Sequence, residues 1–298
     1  MDWTGYILVS AAFLALYDIA KKASVRDNAV LPTLLFSTAF GSAAFAAGMA
    51  LAGGDLAGAL AAPGRTVALA AAKAAIVSTS WIFTFCALRT LPISIATPIR
   101  ASAPAIVFVA AFLVYGEVPT PVQGLGMALV FGGYFAFSWA GRHEGIDFFR
   151  NRAVWCAFGG TFFSAMSSMW DKYVFQVAAA PVEHVQLWFQ LFLFAIYATL
   201  LAGWRALHGV GLLKAGPARF EWRKTIPCVG IALALSDWLY FRGLAFPDVP
   251  ISVGSLLRRV SVVITFLLGA RFFHETNLLR KGVAMAVILA GIALLCLK

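Results

Sequence analysis

The chain has 298 residues, of which 61% are hydrophobic, 14% aromatic and 12% charged, and its net charge is +10. Soluble domains are about 45–50% apolar and about 25% charged, so this chain carries too little charge to coat a water-facing surface. That excludes a cytosolic enzyme, a nucleic-acid-binding module and a disordered scaffold; the basic residues lie mainly between apolar runs, where they set membrane orientation.

Mean hydropathy is +0.86. A spanning helix takes about 20 mostly apolar residues, and the pattern predicts ten of them, at 4–22, 31–52, 66–89, 92–115, 119–140, 153–177, 184–204, 223–246, 250–270 and 278–297. The fold class expected is an all-α integral membrane protein. The opening Met1-Asp2-Trp3 lacks a basic stretch and no small-residue cleavage site follows, so the first run reads as a retained helix. Pro92 and Pro250 stand at the first turns of spans four and nine, where proline costs no hydrogen bond. Pro98 and Pro104 lie inside span four and predict a kink with freed carbonyls near midplane; a cavity-lining bend and a packing bend both fit.

The longer connections, Gly141 to Arg152 and Arg205 to Arg223, are polar and basic, and leave no room for a soluble domain. Cys86, Cys156, Cys228 and Cys296 are widely spaced and form no C-x-x-C pair, so they read as packing residues. His143, His184, His208 and His274 show no metal spacing. No cofactor is expected. Fifteen Lys and Arg fall on the face opposite the N-terminus and five on the N-terminal face. The positive-inside rule then puts both termini outside the cell.

The chain matches itself. At an offset of 158, Pro92-Ile93-Ser94 falls on Pro250-Ile251-Ser252, Arg100 on Arg258, Glu117 on Glu275, Gly124 on Gly282 and Gly133 on Gly291; at an offset of 153, Tyr17-Asp18 falls on Trp170-Asp171. The matches predict a five-helix repeat at 1–141, a linker loop at 142–152 and a second five-helix repeat at 153–298. Five is odd, so the second repeat enters the membrane inverted, with a substrate site near midplane between the halves. This organisation resembles the EamA-type drug/metabolite transporter superfamily, carried by Leu88 to Gly133 and Leu244 to Gly291. Within it, Ser252-Val253-Gly254-Ser255-Leu256-Leu257-Arg258-Arg259-Val260 resembles the ninth-helix basic segment of sugar-phosphate and nucleotide-sugar translocators, with Arg in both basic places. The resemblance implies phosphate binding there.

Arg100 and Arg258 each lie about 12 Å along their helices from a proline, deep enough to reach midplane. A charge at that depth costs about 2.5–3.5 kcal/mol even on lenient scales. Two readings stand: cationic clamps for an anionic solute, or pairing with the buried acids Asp237, Asp171 and Asp18. Arg259 sits about 100° from Arg258 and need not share its cavity. Lys73 reads as an anion donor or, slightly favoured, a snorkelling side chain; Lys21 and Lys22 read as snorkelling at the headgroups, with Lys22 on the face of Asp18. Trp81, Trp238 and Tyr240 are expected as pocket walls, and Asp237, Asp18 and Asp171 as coupling or gating groups. Glu117 and Glu275 read as structural helix ends.

No H-E-x-x-H, G-x-S-x-G, Walker or paired catalytic carboxylate pattern occurs, so no enzyme and no direct ATP drive is expected. The expected function is secondary-active, alternating-access transport of a small phosphorylated or carboxylated metabolite, by exchange or with a coupled proton. The alternative is an exporter of amino acids or cationic aromatic compounds. The expected setting is a bacterial inner membrane, with lipid and a small-molecule solute as partners, no nucleic acid, and a monomer or homodimer.

Overall fold

The computed structural model describes residues 2–103, 105, 106, 120–142, 150–209, 219–246, 257, 258, 260–273 and 278–296. They fold into helices, and none of them lies in a strand. In chain order these are α1 (Trp3–Val25), α2 (Val30–Leu51), α3 (Leu56–Leu60), α4 (Gly64–Thr90), α5 (Ile93–Ala101), α6 (Pro121–Arg142), α7 (Arg152–Lys172), α8 (Val182–Gly209), α9 (Thr225–Leu244), α10 (Val260–Phe272) and α11 (Leu278–Cys296). A π-helical turn, Tyr173–Val177, extends α7.

Local chemistry sets the helix starts. Asp2, Asp55 and Asn151 each accept a backbone N–H of the first turn, from Gly5, Gly58 and Ala153, the usual N-cap arrangement. Four helices are long and apolar enough to cross a membrane by length and composition: Trp3–Val25, Val30–Leu51, Gly64–Thr90 and Val182–His208. Large apolar side chains such as Phe131, Trp155, Leu267 and Leu279 are more than half exposed, a surface that lipid, not water, tolerates. With these helices the chain is a multi-pass membrane protein.

Two local departures from the expected helices have clear causes. The short α3 sits where a connection was expected, because Asp55 caps it and Ala59 is fully buried. The helix expected over 92–115 is interrupted: α5 ends at Ala101, Ser102 makes a turn, and residues 103, 105 and 106 are helical again, while 107–119 lie outside the described residues. Pro104 has no N–H for the carbonyl of Arg100. The loosened end is re-satisfied at the Ile99 carbonyl, which accepts from the Ser102 N–H at 3.2 Å, the Ser102 hydroxyl at 2.7 Å and the Thr161 hydroxyl of α7 at 3.3 Å. Pro98 lies within the helical run of α5; Pro104 and Pro250 lie outside the described residues.

The closest helix pairs are α1 with α9, α4 with α7 and α6 with α11. Small residues and hydroxyls make these approaches, as lipid-embedded packing favours. Ser10 on α1 and Ser236 on α9 each donate to the other's carbonyl, at 2.7 and 3.0 Å. Where α2 meets α9, a Cβ at Gly230 would stand 1.9 Å from the Ser37 carbonyl oxygen. The core left between the helix pairs is not filled by apolar side chains alone: Asp18, Lys21, Lys73, Asp171 and Asp237 are buried in it.

Candidate functional site

A cavity of about 130 Å³ opens among α1, α4, α5, α7, α8 and α9, and Arg258 completes its wall. Its lining is predominantly polar: Lys21, Lys73, Ser80, Thr84, Arg100, Ser164, Ser167, Ser168, Asp171, Asp237 and Arg258, with Tyr17, Trp81, Phe189, Tyr240 and Phe241 among the rings. The arginines of the two chain halves, Arg100 and Arg258, therefore face one chamber.

Three charge clusters occupy it. The first is centred on Asp18 of α1, whose Oδ1 accepts from Lys21 Nζ at 2.7 Å and from Arg100 Nη1 of α5. Lys21 Nζ also stands 4.2 Å from the Tyr17 ring centroid. The second joins α4 to α7, where Lys73 donates to Asp171. Two rings flank that ammonium, Phe241 at 4.4 Å and Phe189 at 5.0 Å. The third joins α9 to Arg258, whose Nη2 donates to Asp237 Oδ1 at 2.8 Å while its guanidinium carbon lies 3.8 Å from the Tyr240 centroid. Arg258 Nε is buried and meets no acceptor among the described residues. Removing one partner of such a buried pair costs about 3–5 kcal/mol, because the other charge is left uncompensated.

Several sequence expectations are corrected here. Lys21 and Lys22 do not snorkel: both are buried, because α1 continues to Val25 and places them inside the bundle. Lys21, not Lys22, holds Asp18. Lys22 Nζ donates instead to the carbonyls of Leu88 at 2.7 Å and Leu91 at 2.5 Å. Lys73 is also buried, paired rather than extended toward a headgroup. Trp238 does not line the cavity; it stands over Arg242, 5.7 Å from the guanidinium. The reason is helical phase, since Asp237 and Tyr240 are three apart and share a face while position 238 is turned by about 100°. Arg259, Glu117, Glu275, His143 and His274 lie outside the described residues.

Trp81 does reach the chamber, stacked at 6.5 Å on Tyr197 and 6.3 Å from Tyr17. It also walls a smaller apolar recess of about 20 Å³, shared with Phe85, Phe189 and Gln190. Sequence reading passed over Tyr17, Phe189 and Phe241; their proximity to Asp18 and to the Lys73 ammonium is a product of helix packing, and only Tyr17 carried a signal, its adjacency to Asp18. Among the described residues no cluster of His, Cys, Asp and Glu is assembled that would hold a metal ion.

The chamber thus places paired charges inside a multi-pass helical bundle, where a charged side chain is costly and marks a functional site. Residues 2–139 match the model of the EamA-like transporter family. A solved chain described simply as a protein crystal structure superposes with a TM-score of 0.63, over 97% of this chain and 94% of that chain, at 19% identity. At that identity the likeness is one of fold. No curated protein matches the sequence.

Proposed function

We propose that the chain is a secondary-active transporter that carries a small anionic metabolite across the membrane by alternating access, with the solute bound in the charged chamber. Arg258 carries this reading. Its Nη2 is committed to Asp237, its buried Nε–H meets no acceptor among the described residues, and the flat face is held on Tyr240. A planar guanidinium with an unspent donor suits a carboxylate or phosphate oxygen. Charge supports it too. The described chamber gathers the cations Lys21, Lys73, Arg100 and Arg258 against the carboxylates Asp18, Asp171 and Asp237, an excess of one positive charge that a bound anion neutralises.

Helix pairing supports two inverted five-helix repeats, and hence ten spans. Pairing each helix with its counterpart in the other half (α1 with α7, α2 with α8, α4 with α9, α5 with α10) carries the α1–α9 contact onto α7–α4. It likewise carries α2–α9 onto α8–α4 and α1–α10 onto α7–α5, and all of these contacts occur. The ninth-helix resemblance to phosphate-binding translocators points to the same cargo chemistry, and the charge count favours termini outside a bacterial inner membrane. In proteoliposomes Arg258→Ala is expected to abolish uptake of anionic metabolites while the protein remains folded; unchanged uptake overturns the assignment.

One observation favours the second reading, export of amino acids or cationic aromatic compounds. Each of the three carboxylates is occupied by a cation resting on an aromatic ring, Lys21 on Tyr17, Lys73 on Phe241 and Arg258 on Tyr240. An external ammonium would find the same acid-and-ring surroundings. Thermal-shift screening of carboxylates and phosphate esters against amines and amino acids separates the two.

A further inference from the structure

The repeat places Asp18 on Asp171 and Arg100 on Arg258. If the halves adopted the same conformation, the Asp18–Arg100 pair would be mirrored by an Asp171–Arg258 pair. It is not. Asp171 is held by Lys73 and Arg258 by Asp237. The sequence explains how the symmetry is broken. Val174 stands where the second half would carry the counterpart of Lys21, and Lys73, reaching from α4 of the first half, fills the gap beside Asp171. Asp237 falls against Thr84 or Thr79 in the two registers of the repeat, so the first half offers no acid there to draw Arg100 away from Asp18.

In an inverted-repeat carrier the two halves exchange conformations when the chamber changes sides. We infer that Asp171 is a partner-switching carboxylate, which leaves Lys73 for Arg258 in the opposite-facing state. This deepens the alternating-access reading and rests on it. The components are in place: Asp171, Asp237 and Arg258 line the same cavity. The exchange makes the two arginines alternate. In the state described here Asp18 engages Arg100, and Arg258 Nε meets no acceptor among the described residues. In the other state Asp171 engages Arg258. Arg100 then takes the position of Arg258 and turns to the hydroxyl-lined side of the chamber, where Ser80 and Thr84 stand in place of an acid. One arginine is thus released to the solute on each side of the membrane. Lys73 is in this scheme a positioning residue: it holds Asp171 off Arg258 and so sets how much of each state is populated.

The test needs no solute. In a chain whose native cysteines are replaced, Ser164→Cys reports the chamber, because Ser164 lines it. Labelling by a membrane-impermeant maleimide is compared in right-side-out and inside-out vesicles. Lys73→Met removes the partner of Asp171 in the present state only, so the ratio of labelling from the two faces is expected to move about tenfold. In an Asp171→Asn background the same Lys73→Met change is expected to move nothing further. An unchanged ratio, or an equal shift with and without Asp171, overturns the inference. Should Lys73→Met fail to fold, the double variant Asp171→Cys with Arg258→Cys, with Lys73 intact, decides. A bifunctional thiol cross-linker about as long as an arginine side chain is expected to join the two and to fix labelling to one face; no cross-link overturns the inference. Alternation itself is scored separately, by labelling of Ser164→Cys from both faces in the otherwise unaltered chain, and a mistaken cargo leaves every one of these readouts in place.

Discussion

Arg258 lies on Tyr240, its guanidinium carbon 3.8 Å from the ring centroid. The ring fixes the plane of the fork, and Asp237 fixes one edge of it at 2.8 Å. Orientation, not charge alone, is then what the site supplies. Arg258→Lys keeps the charge and loses the plane and the fork; it is expected to weaken uptake or binding of anionic solutes by about tenfold or more. Tyr240→Leu removes a cation–π contact worth about 0.5–2 kcal/mol, which corresponds to a loss of about 2- to 30-fold through the same affinity. Concentration dependence of uptake in proteoliposomes reads both. A variant Arg258→Lys with unaltered affinity would mean that the fork geometry plays no part.

Asp18 neutralises two cations at once, Lys21 and Arg100. Asp18→Asn leaves both positive in a buried place, and a stability loss of about 3–5 kcal/mol is expected. Lys21→Met should cost less, because Arg100 still satisfies the carboxylate. Thermal unfolding in detergent checks the order of the two; a milder Asp18→Asn would show that the carboxylate is not what holds this cluster.

The pattern of these charges explains what the sequence made legible. Apolar runs gave helix positions well, because length and hydropathy are local properties. They also singled out Arg100 and Arg258 as charges within apolar runs, and both line the chamber. The pairings were not legible. Lys73 and Asp171 are 98 residues apart, and no spacing rule connects them; the contact exists because α4 packs along α7. Lys21 and Lys22 were misplaced for a related reason: they stand near the end of an apolar run, which reads as an interface, yet α1 extends past them into a polar corner built by α5 and the end of α4. Trp238 was legible in type and not in direction, because its neighbours Asp237 and Tyr240 already define the face that meets the chamber.

At the crossing of α2 and α9 the backbones are in contact. A Cβ at Gly230 would lie 1.9 Å from the Ser37 carbonyl oxygen and 2.7 Å from the Gly41 nitrogen, while one at Gly41 would lie 3.0 Å from the Gly230 carbonyl oxygen. Gly230→Ala therefore has to push the helices apart, and overpacking of this kind costs about 1–3 kcal/mol or more. It is expected to lower the unfolding temperature more than Gly41→Ala does. Equal and small effects of the two would mean that the crossing is looser than its geometry.

The contact between Lys22 and the end of α4 leads to the last prediction. In an unbroken helix the Leu88 carbonyl would accept from the N–H of residue 92, but residue 92 is proline and has none. The Leu91 carbonyl is orphaned by the same break, because the N–H of Ile95 turns to the Pro92 carbonyl at 3.2 Å. The Lys22 ammonium donates to both, at 2.7 and 2.5 Å, and is buried in doing so. It thus supplies from α1 the donors that the α4–α5 junction lacks, and fixes the start of the helix that carries Arg100. Lys22→Met leaves two buried carbonyls unsatisfied, at about 1–3 kcal/mol for each such group. It is expected to destabilise the fold in thermal unfolding while leaving the direct partners of Asp18 untouched. Lys22→Arg, which keeps donors at that depth, should recover most of the loss. Recovery by Lys22→Leu instead would show that burial of an apolar stem, not donation to the Leu88 and Leu91 carbonyls, is what the junction requires.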